Sequence, residues 1–365
     1  MQSTDLWDLL RATALERGCA GVGVAAVAPF DDVLAALRNR KEAGMHAAMH
    51  FTFGNPERST DITSSFPWAR SLLVAGYPYL PAAGSPAPAR ANHGRVARFA
   101  TKDHYVGLRR ALSEAALLLV DAGYLAELVV DDNRLVDRAA AVRAGVGWWG
   151  KNAMVLAPGS GPWMLLGSVV TDAELEPTAP MVRDCGTCSA CLPACPTGAL
   201  VAPGVLDARL CLAHWLQAPG SIPRELRQAV GDRIYGCDDC LDACPPGFKL
   251  EAATPIEPRL DLLGLLAEND DELMGRFDHF YVPRRRAAFL RRNLLVALGN
   301  SGDATAATAV SRYLENQDPM LRAHAAWALG ELGASPAAAA LAAAAAIEQD
   351  ESVLEEINTA LQSYA

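Results

Sequence analysis

Eight of the nine cysteines in this 365-residue chain lie between Cys185 and Cys244. The first group, CGTCSACLPACP (185–196), separates its cysteines by two, two and three residues and places a proline after the last. The second group, CDDCLDACP (237–245), repeats the final three cysteines and the proline with the same spacing. Runs of this kind bind 4Fe-4S clusters, and in two-cluster proteins the fourth cysteine ligates the other cluster. The spacing therefore predicts two clusters with exchanged ligands.

The second group lacks a counterpart of Cys185, and the other nearby cysteine is Cys211. We therefore assign cluster one to Cys185, Cys188, Cys191 and Cys244, and cluster two to Cys195, Cys211, Cys237 and Cys240. Zinc is the alternative metal, because Cys-x2-Cys pairs also suit a tetrahedral zinc site. The doubled spacing with Cys-Pro endings favours iron-sulfur clusters. Exchanged ligands would hold the two clusters close together, as electron transfer requires.

A glycine-rich stretch, GVGWWGKN (145–152), matches G-x-G-x-x-G and nearly matches a P-loop, with Asn152 in place of Ser or Thr. Both nucleotide motifs require a preceding strand, whereas RAAAVRA (138–144) is predicted to be helical. We therefore expect no nucleotide here and interpret Gly145 as a helix C-cap. The alternative is close approach of the backbone to a large planar ligand, with Trp148 and Trp149 as apolar walls.

Alternating strands and helices must position these groups. Apolar runs predict strands at GVGVAAV (21–27), SLLVAGYPY (71–79) and LAELVV (125–130), with a helix at 105–123 between the last two. This alternation indicates an α/β domain. The Pro-rich segment LPAAGSPAPARANHG (80–94) is predicted to be a surface loop or flap.

The C-terminal part of the chain repeats itself. FLRRNLLVALGNSG (289–302) aligns with MLRAHAAWALGELG (320–333) at an offset of 31 residues, which predicts stacked helical pairs of the HEAT kind. The Ala-rich stretch SPAAAALAAAAAIEQ (335–349) is predicted to be the closing helix of this array.

Composition limits the partners. The formal charge of -10 argues against a surface generally coated by nucleic acid, although a local basic patch remains compatible with it. The sequence contains no apolar run of about 20 residues, and its N-terminus is acidic and amphipathic rather than basic and then apolar. We therefore expect a cytoplasmic protein without a membrane partner.

Five segments together carry a resemblance to a known family. They are VDDNRLVDRAAAVRAGVGWWGKN (130–152), CGTCSACLPACPTGAL (185–200), LDARLCLAHW (206–215), YGCDDCLDACP (235–245) and RRNLLVALGN (291–300). The chain resembles, over nearly its whole length, the epoxyqueuosine reductases. These are cobalamin and iron-sulfur enzymes of tRNA modification that are related to reductive dehalogenases.

The resemblance implies an α+β multidomain fold. It has a nitroreductase-like α/β cobalamin-binding domain at 1–175, a ferredoxin-like domain with two 4Fe-4S clusters at 176–255, and HEAT-like α-helical repeats at 256–365 that help to hold tRNA. The implied reaction reduces the epoxide of epoxyqueuosine in tRNA to queuosine, the last step of queuosine biosynthesis. The implied cofactor is cob(II)alamin (vitamin B12), which acts as cob(I)alamin when fed by the clusters. An external donor of the flavodoxin or ferredoxin type and a monomeric state are also expected.

The resemblance also assigns roles to residues. It makes Asp131 the proton donor, which requires a pKa raised by a partly dehydrated pocket. Asp131 could instead be an N-cap or turn aspartate for a helix beginning near Leu135. Asp132 is the rival acid, and two neighbours at a strand end point to opposite sides. The positions that match cobalamin contacts are Arg58, Asp131, Lys151, Asn152, Val155, Leu166 and Ala213.

Three departures from the family put the substrate in question. The order Asp103-His104-Tyr105 replaces Asp-Tyr-His, CPPGF replaces the usual continuation of the second cysteine run, and Asp132 and Arg134 replace smaller residues. The alternatives are a dehalogenase-like reductase of another substrate and an iron-sulfur electron-transfer protein.

Two further groups have less specific interpretations. His46 and His50 lie four apart on a predicted helix and are expected at its surface or in the core rather than on a metal. The basic run is suited to tRNA phosphates or to a solvated helix face; it comprises Arg284, Arg285, Arg286, Arg291 and Arg292.

Overall fold

The computed structural model describes residues 3–79, 90–248 and 259–364, in two units. The first unit comprises Met1–Ala83, Lys102–Arg209 and Asp238–Pro255. The second comprises Gly84–Thr101, Leu210–Cys237 and Ile256–Ala365. The three-domain boundaries expected from the sequence stay a prediction.

A four-stranded antiparallel sheet forms the centre of the first unit. Its strands lie in the order Gly21–Ala26, Ser71–Pro78, Met164–Thr171 and Ala126–Val129, so the three strands expected from the sequence are confirmed. Alternate residues of each strand point to opposite faces of the sheet. Helices cover both faces. Helix Asp137–Arg143 packs on the face that carries Leu72 and Val74.

Helix Tyr105–Asp121 covers the opposite face of this sheet, where Leu108 and Leu112 lie against Gly167. The expected helix at 105–123 is thereby confirmed. The remaining helices of the first unit are Ser3–Glu16, Asp31–Glu42, Pro56–Thr60, Cys191–Ala194, Asp239–Asp242 and Pro245–Phe248, with a 3-10 turn at Ile62–Ser64. Two short hairpins pair Trp148–Trp149 with Val155–Leu156 and Leu200–Ala202 with Val205–Leu206.

A three-stranded sheet belongs to the second unit, in the order Arg233–Tyr235, His93–Val96 and Leu260–Asp261. The central strand corrects part of the expectation of a surface loop over 80–94. The last two residues of that segment, 93 and 94, begin the strand His93–Val96. Residues 80–89 of that segment lie outside the described residues. The strand was missed because both of its hydrogen-bonding partners come from distant parts of the sequence.

Helical repeats form most of the second unit. Helix Ala288–Asn300 packs against Pro319–Leu332, which packs in turn against Glu351–Gln362. The repeated Ala-Leu-Gly allows this close approach, since a Cβ on Gly299 would lie 2.9 Å from the Cα of Ala328. The expected repeats are confirmed. The Ala-rich helix Ser335–Ala345 is not the closing one, however, because Glu351–Gln362 follows it.

The other helices of the second unit are Leu212–Trp215, Arg224–Val230, Leu262–Ala267, Asp270–Arg276 and Ala307–Ser311, with 3-10 turns at Arg98–Ala100, Pro283–Arg285, Ala304–Ala306 and Arg312–Glu315. Across the described ranges, none of the helices combines the length and apolar character that crossing a bilayer demands.

Candidate functional site

Four thiols line one cavity of about 150 Å³ in the first unit, which we call the cysteine cavity. They are Cys185, Cys188, Cys191 and Cys244, the set assigned to cluster one from the spacing. Two short helices that pack together, Cys191–Ala194 and Asp239–Asp242, bring the two cysteine runs to this cavity. The structure therefore groups these four side chains, although their role as ligands stays a prediction.

The form of the cavity suits a cluster of several atoms. Across residues 3–79, 90–248 and 259–364, no three His, Cys, Asp or Glu side chains converge on a single metal ion. The four thiols surround a space of the kind that a multi-iron cluster needs. None of the nine cysteines, all of which the structure describes, forms a disulfide.

Burial favours the protonated form of two of these thiols, Cys191 and Cys244. Trp148, Leu156 and Cys244 form a buried cluster against which Cys185 packs. Burial, followed by the neighbouring thiols, raises the pKa of Cys244 to about 12. Burial likewise raises the pKa of Cys191. Metal binding must displace these protons, since the thiolate is the ligand.

The glycine-rich stretch supplies one wall of the cysteine cavity. Gly145 has a φ of +67° just after helix Asp137–Arg143, which confirms it as the C-cap glycine. The chain then enters a hairpin and not a helix, so the context of a nucleotide motif is missing. Trp148, Lys151 and Asn152 line the cavity.

The predicted acid Asp131 lies two residues beyond the strand Ala126–Val129, in a left-handed conformation with a φ of +52°. Aspartate tolerates this region better than most residues. The alternative that it caps a helix is wrong, because helix Asp137–Arg143 has Val136 at its N-cap position. Asp131 does lie in the turn between the strand and that helix. Asp131 is exposed as a whole residue, and partial desolvation of its carboxyl group raises the pKa of that group.

The neighbouring Asp132 has the opposite electrostatic environment. Its carboxylate receives hydrogen bonds from Arg134 at 2.6 and 2.9 Å, and these lower its pKa. The guanidinium of Arg134 also lies 4.8 Å from the centre of the Phe66 ring. Asp132 is thus held ionised. Strand alternation does not separate Asp131 from Asp132, because the strand Ala126–Val129 ends before both residues, so that expectation is wrong. The two carboxyls differ instead because Arg134 bonds Asp132.

Two groups around Asp131 were missed by sequence reasoning. The partly buried Tyr105 has a pKa raised by desolvation and then by the charges of Asp131 and Asp137. The Oδ1 atom of Asp137 is buried without a hydrogen-bond partner among the described residues. His104, in contrast, is buried and lies 5.7 Å from the Tyr79 ring. The reversed His-Tyr order therefore places the tyrosine near the acid.

Residues 184–247 match the family of 4Fe-4S double cluster binding domains, and residues 287–362 match HEAT repeats. An epoxyqueuosine reductase of Bacillus cereus is 30% identical over 94% of this chain and 93% of its own length. The chain belongs to the epoxyqueuosine reductase family. It is therefore an oxidoreductase with a double 4Fe-4S cluster domain, which confirms the iron-sulfur prediction over zinc and over a carrier without enzymatic activity.

Solved epoxyqueuosine reductase structures resemble the whole chain. One contains a tRNA-Tyr stem loop modified with epoxyqueuosine and matches with a TM-score of 0.92 and 30% identity over 100% of both chains. Another, from Bacillus subtilis, is described as having a catalytic aspartate loop swung out of the active site. It matches with a TM-score of 0.90 and 29% identity over 100% of both chains.

The other positions that match cobalamin contacts of the epoxyqueuosine reductase family are dispersed. Arg58 is exposed and donates from Nε to Ser65 Oγ at 3.1 Å. Val155 is buried, and Leu166 packs against the core of the first unit. Ala213 belongs to the second unit, where its carbonyl accepts a bond from Gln217. Their corrin contacts, and those of Lys151 and Asn152, stay predictions.

The remaining cysteines belong to different units. Cys195 and Cys240 fall in the first unit, and Cys211 and Cys237 in the second. The Sγ of Cys195 accepts a bond from the amide of Ala199 at 3.2 Å. The assignment of these four residues to cluster two stays a prediction.

In this chain, only part of the basic run Arg284, Arg285, Arg286, Arg291 and Arg292 is exposed. Arg292 is fully buried and donates to the carbonyls of Trp215, Ala218 and Gly220. Arg291 is buried and bonds the carboxylate of Asp270. Both expectations for these two residues, phosphate contact and a solvated helix face, are therefore wrong. Their helix, Ala288–Asn300, is surrounded by protein over most of its length.

The two histidines at 46 and 50 also differ from expectation. Helix Asp31–Glu42 ends before both, so they do not share a helix. His46 lies 5.4 Å from the Phe53 ring. Neither belongs to a group of metal-ligating side chains among the described residues.

Proposed function

We propose that this chain reduces the epoxide of epoxyqueuosine in tRNA to the alkene of queuosine. The observation that carries the proposal is Asp131, a carboxyl with a raised pKa on a left-handed turn of a protein whose family carries two iron-sulfur clusters. The relative solved with an epoxyqueuosine-modified stem loop supports tRNA as the substrate. The relative with a catalytic aspartate loop supports the role of an aspartate.

The reaction defines what each part must supply. Converting an epoxide to an alkene consumes two electrons and two protons and releases water. The clusters transfer electrons singly, from an external donor of the flavodoxin or ferredoxin type. Asp131 gives a proton to the departing oxygen, and its raised pKa keeps that proton available at a higher pH than for an ordinary aspartate.

Cobalamin, when bound, would supply a low-potential centre that stores two electrons. The residues present fit such a ligand. Trp148 and Trp149 occupy successive positions of one strand; Trp148 faces the cysteine cavity and Trp149 is 42% exposed. An exposed aromatic face beside the cavity provides an apolar surface for a planar ring. The exposed Arg58 and the carboxyl of Asp131 add polar contacts on the same unit.

The experiment is nucleoside analysis of epoxyqueuosine-tRNA by mass spectrometry after incubation with reconstituted, reduced protein. We expect queuosine. In the Asp131→Asn variant we expect the single-turnover rate to fall by about 10²–10⁴, the usual contribution of a general acid. Iron content and corrin absorbance should not change. Asp132→Asn is the matched control and should retain most of the rate, because Arg134 already occupies that carboxylate.

A second candidate is a cobalamin-dependent reductase of another substrate. The reversed order of His104 and Tyr105 favours it, because the tyrosine lies near Asp131 where the family usually has another arrangement. Reduction of a small organohalide without any turnover of the modified tRNA would support this candidate and overturn the first. A monomeric state and a cytoplasmic location accompany the proposed tRNA activity.

A further inference from the structure

The cysteine cavity contains two buried hydrogen-bond donors that lack acceptors. Asn152 is 5% exposed and Trp148 is 7% exposed. The Nδ2 of Asn152 and the Nε1 of Trp148 find no partner among the residues that the structure describes. Buried N–H groups nearly always have an acceptor, so each of these two requires an explanation. Both residues line the cavity together with the four thiols.

A hydrogen bond to the side-chain oxygen of Asn152 fixes the orientation of its amide group. Its Oδ1 accepts a hydrogen bond from the amide of Met154 at 3.1 Å, so the NH2 group must point elsewhere. Gly150 permits this arrangement, because a Cβ there would come within 2.5 Å of the same Oδ1. The glycine of the motif therefore serves the placement of Asn152.

Lys151 adds a positive charge beside the same thiols. Its Nζ donates to the carbonyl of Gly186 at 2.7 Å, and Gly186 lies between Cys185 and Cys188. The amide of Gly186 in turn donates to Asp184 Oδ1 at 2.7 Å. The lysine is thus tied to the loop that carries the first two thiols, and it lines the cavity.

We infer that Trp148 Nε1 and Asn152 Nδ2 donate hydrogen bonds to the sulfurs of cluster one, and that Lys151 places its charge beside them. This assigns to the cluster two residues, Lys151 and Asn152, that the family resemblance places at the corrin. The stretch GVGWWGKN would then bind an anionic cluster through its sulfurs, where a P-loop binds phosphate. This inference rests on the proposed assignment of cluster one to the cysteine cavity. It goes beyond the match to a double-cluster domain, which begins at residue 184 and does not include the stretch.

The consequence is a raised reduction potential. Reduction adds one electron from an external donor to the cluster; no covalent bond forms or breaks, and the cluster becomes more negative by one charge. Hydrogen-bond donors and a nearby cation stabilise the more negative state. These three side chains therefore favour the reduced cluster, and removing any of them should lower its potential.

The test is an EPR-monitored redox titration of the reconstituted full chain with dithionite. Trp148→Phe and Asn152→Leu remove the donors at similar volume, and Lys151→Met removes the charge. Each should shift the ratio of reduced to oxidised cluster one about tenfold toward the oxidised form, a change of about 59 mV for one electron. Trp68→Phe is the matched control and should not shift it, because Trp68 packs against the core of the first unit and does not line the cysteine cavity. Unchanged potentials with full iron content would overturn the inference.

A second measurement needs no substitution in the cavity. In Trp149→Phe protein labelled with ¹⁵N at the tryptophan indoles, pulsed EPR of the reduced cluster should detect a ¹⁵N coupling. Its absence would show that Trp148 bonds water or another group and would overturn the inference for that residue. Neither readout depends on tRNA turnover. If the unsubstituted protein does not reduce the epoxide, but the variants shift the cluster potential as expected, only the proposed function is contradicted.

Discussion

At the scale of single residues, the adjacent carboxyls of Asp131 and Asp132 have pKa values shifted in opposite directions. Asp132 is bonded by Arg134, which lowers its pKa, whereas desolvation raises the pKa of Asp131 despite the opposing charge of Arg109. The separation of the two pKa values supports the proposed role of Asp131 as the acid. The left-handed backbone at Asp131 fits a functional position, since uncommon conformations cluster at such sites.

The raised pKa of Asp131 predicts a pH dependence of the chemical step. A general acid acts only while protonated, so the rate should be highest below its pKa and fall about tenfold per pH unit above it. Because the pKa lies above the usual value, the decline should begin at a higher pH than for an ordinary aspartate. Single-turnover rates of prereduced protein across pH 4 to 9 measure this. Asp131→Glu should retain a declining limb, and the same limb in Asp131→Asn would contradict the assignment.

At the scale of elements, the cysteine cavity joins two runs that are distant in sequence. Cys244 of the second run lies with Cys185, Cys188 and Cys191 of the first. Sequential ligation would instead complete the first cluster with Cys195. The two schemes differ in which pairs of cysteines belong to one cluster, and this difference can be measured by iron content.

Two double variants distinguish the schemes. With exchanged ligands, Cys185→Ala with Cys244→Ala damages one cluster, and the chain should keep about four iron atoms of about eight. Cys185→Ala with Cys195→Ala should damage both clusters. Sequential ligation reverses these two results. Iron and sulfide analysis, with EPR of the remaining cluster, provides the readout for both proteins.

The cysteine grouping and the repeats were predictable because local spacing encodes them. The burial of Arg292 was not, because the same Leu-Arg-Arg pattern suits an exposed helix until the loop at Trp215 and Gly220 supplies carbonyl acceptors. The strand His93–Val96 depends equally on distant partners. The ion pair of Asp132 and Arg134 lies within three residues, yet its geometry depends on a turn that no sequence pattern specified.

At the scale of the whole molecule, the proposed activity on tRNA requires an acidic chain to bind a polyanion. The formal charge of -10 repels tRNA on average, so binding depends on a few exposed cations. In the basic run, Arg286 pairs with Asp318 and Arg285 donates to the carbonyls of Met274 and Asp278. Arg284 is exposed and has no hydrogen bond or ion pair within the described part of the chain. It is therefore the cation of this run that can contact phosphate.

The arginines of the run should consequently fall into two classes when replaced. Arg284→Ala should change the free energy of unfolding by less than about 0.5 kcal/mol, as exposed substitutions do. It should weaken tRNA binding and reduce the slope of log K against log salt by about 0.7–0.9, the value for one phosphate contact. Arg292→Ala should cost about 3–5 kcal/mol, since it leaves three carbonyls without their buried donor. Chemical unfolding and salt-dependent binding of modified stem loop to both proteins measure these effects. An unchanged slope for Arg284→Ala would exclude this residue from the tRNA interface.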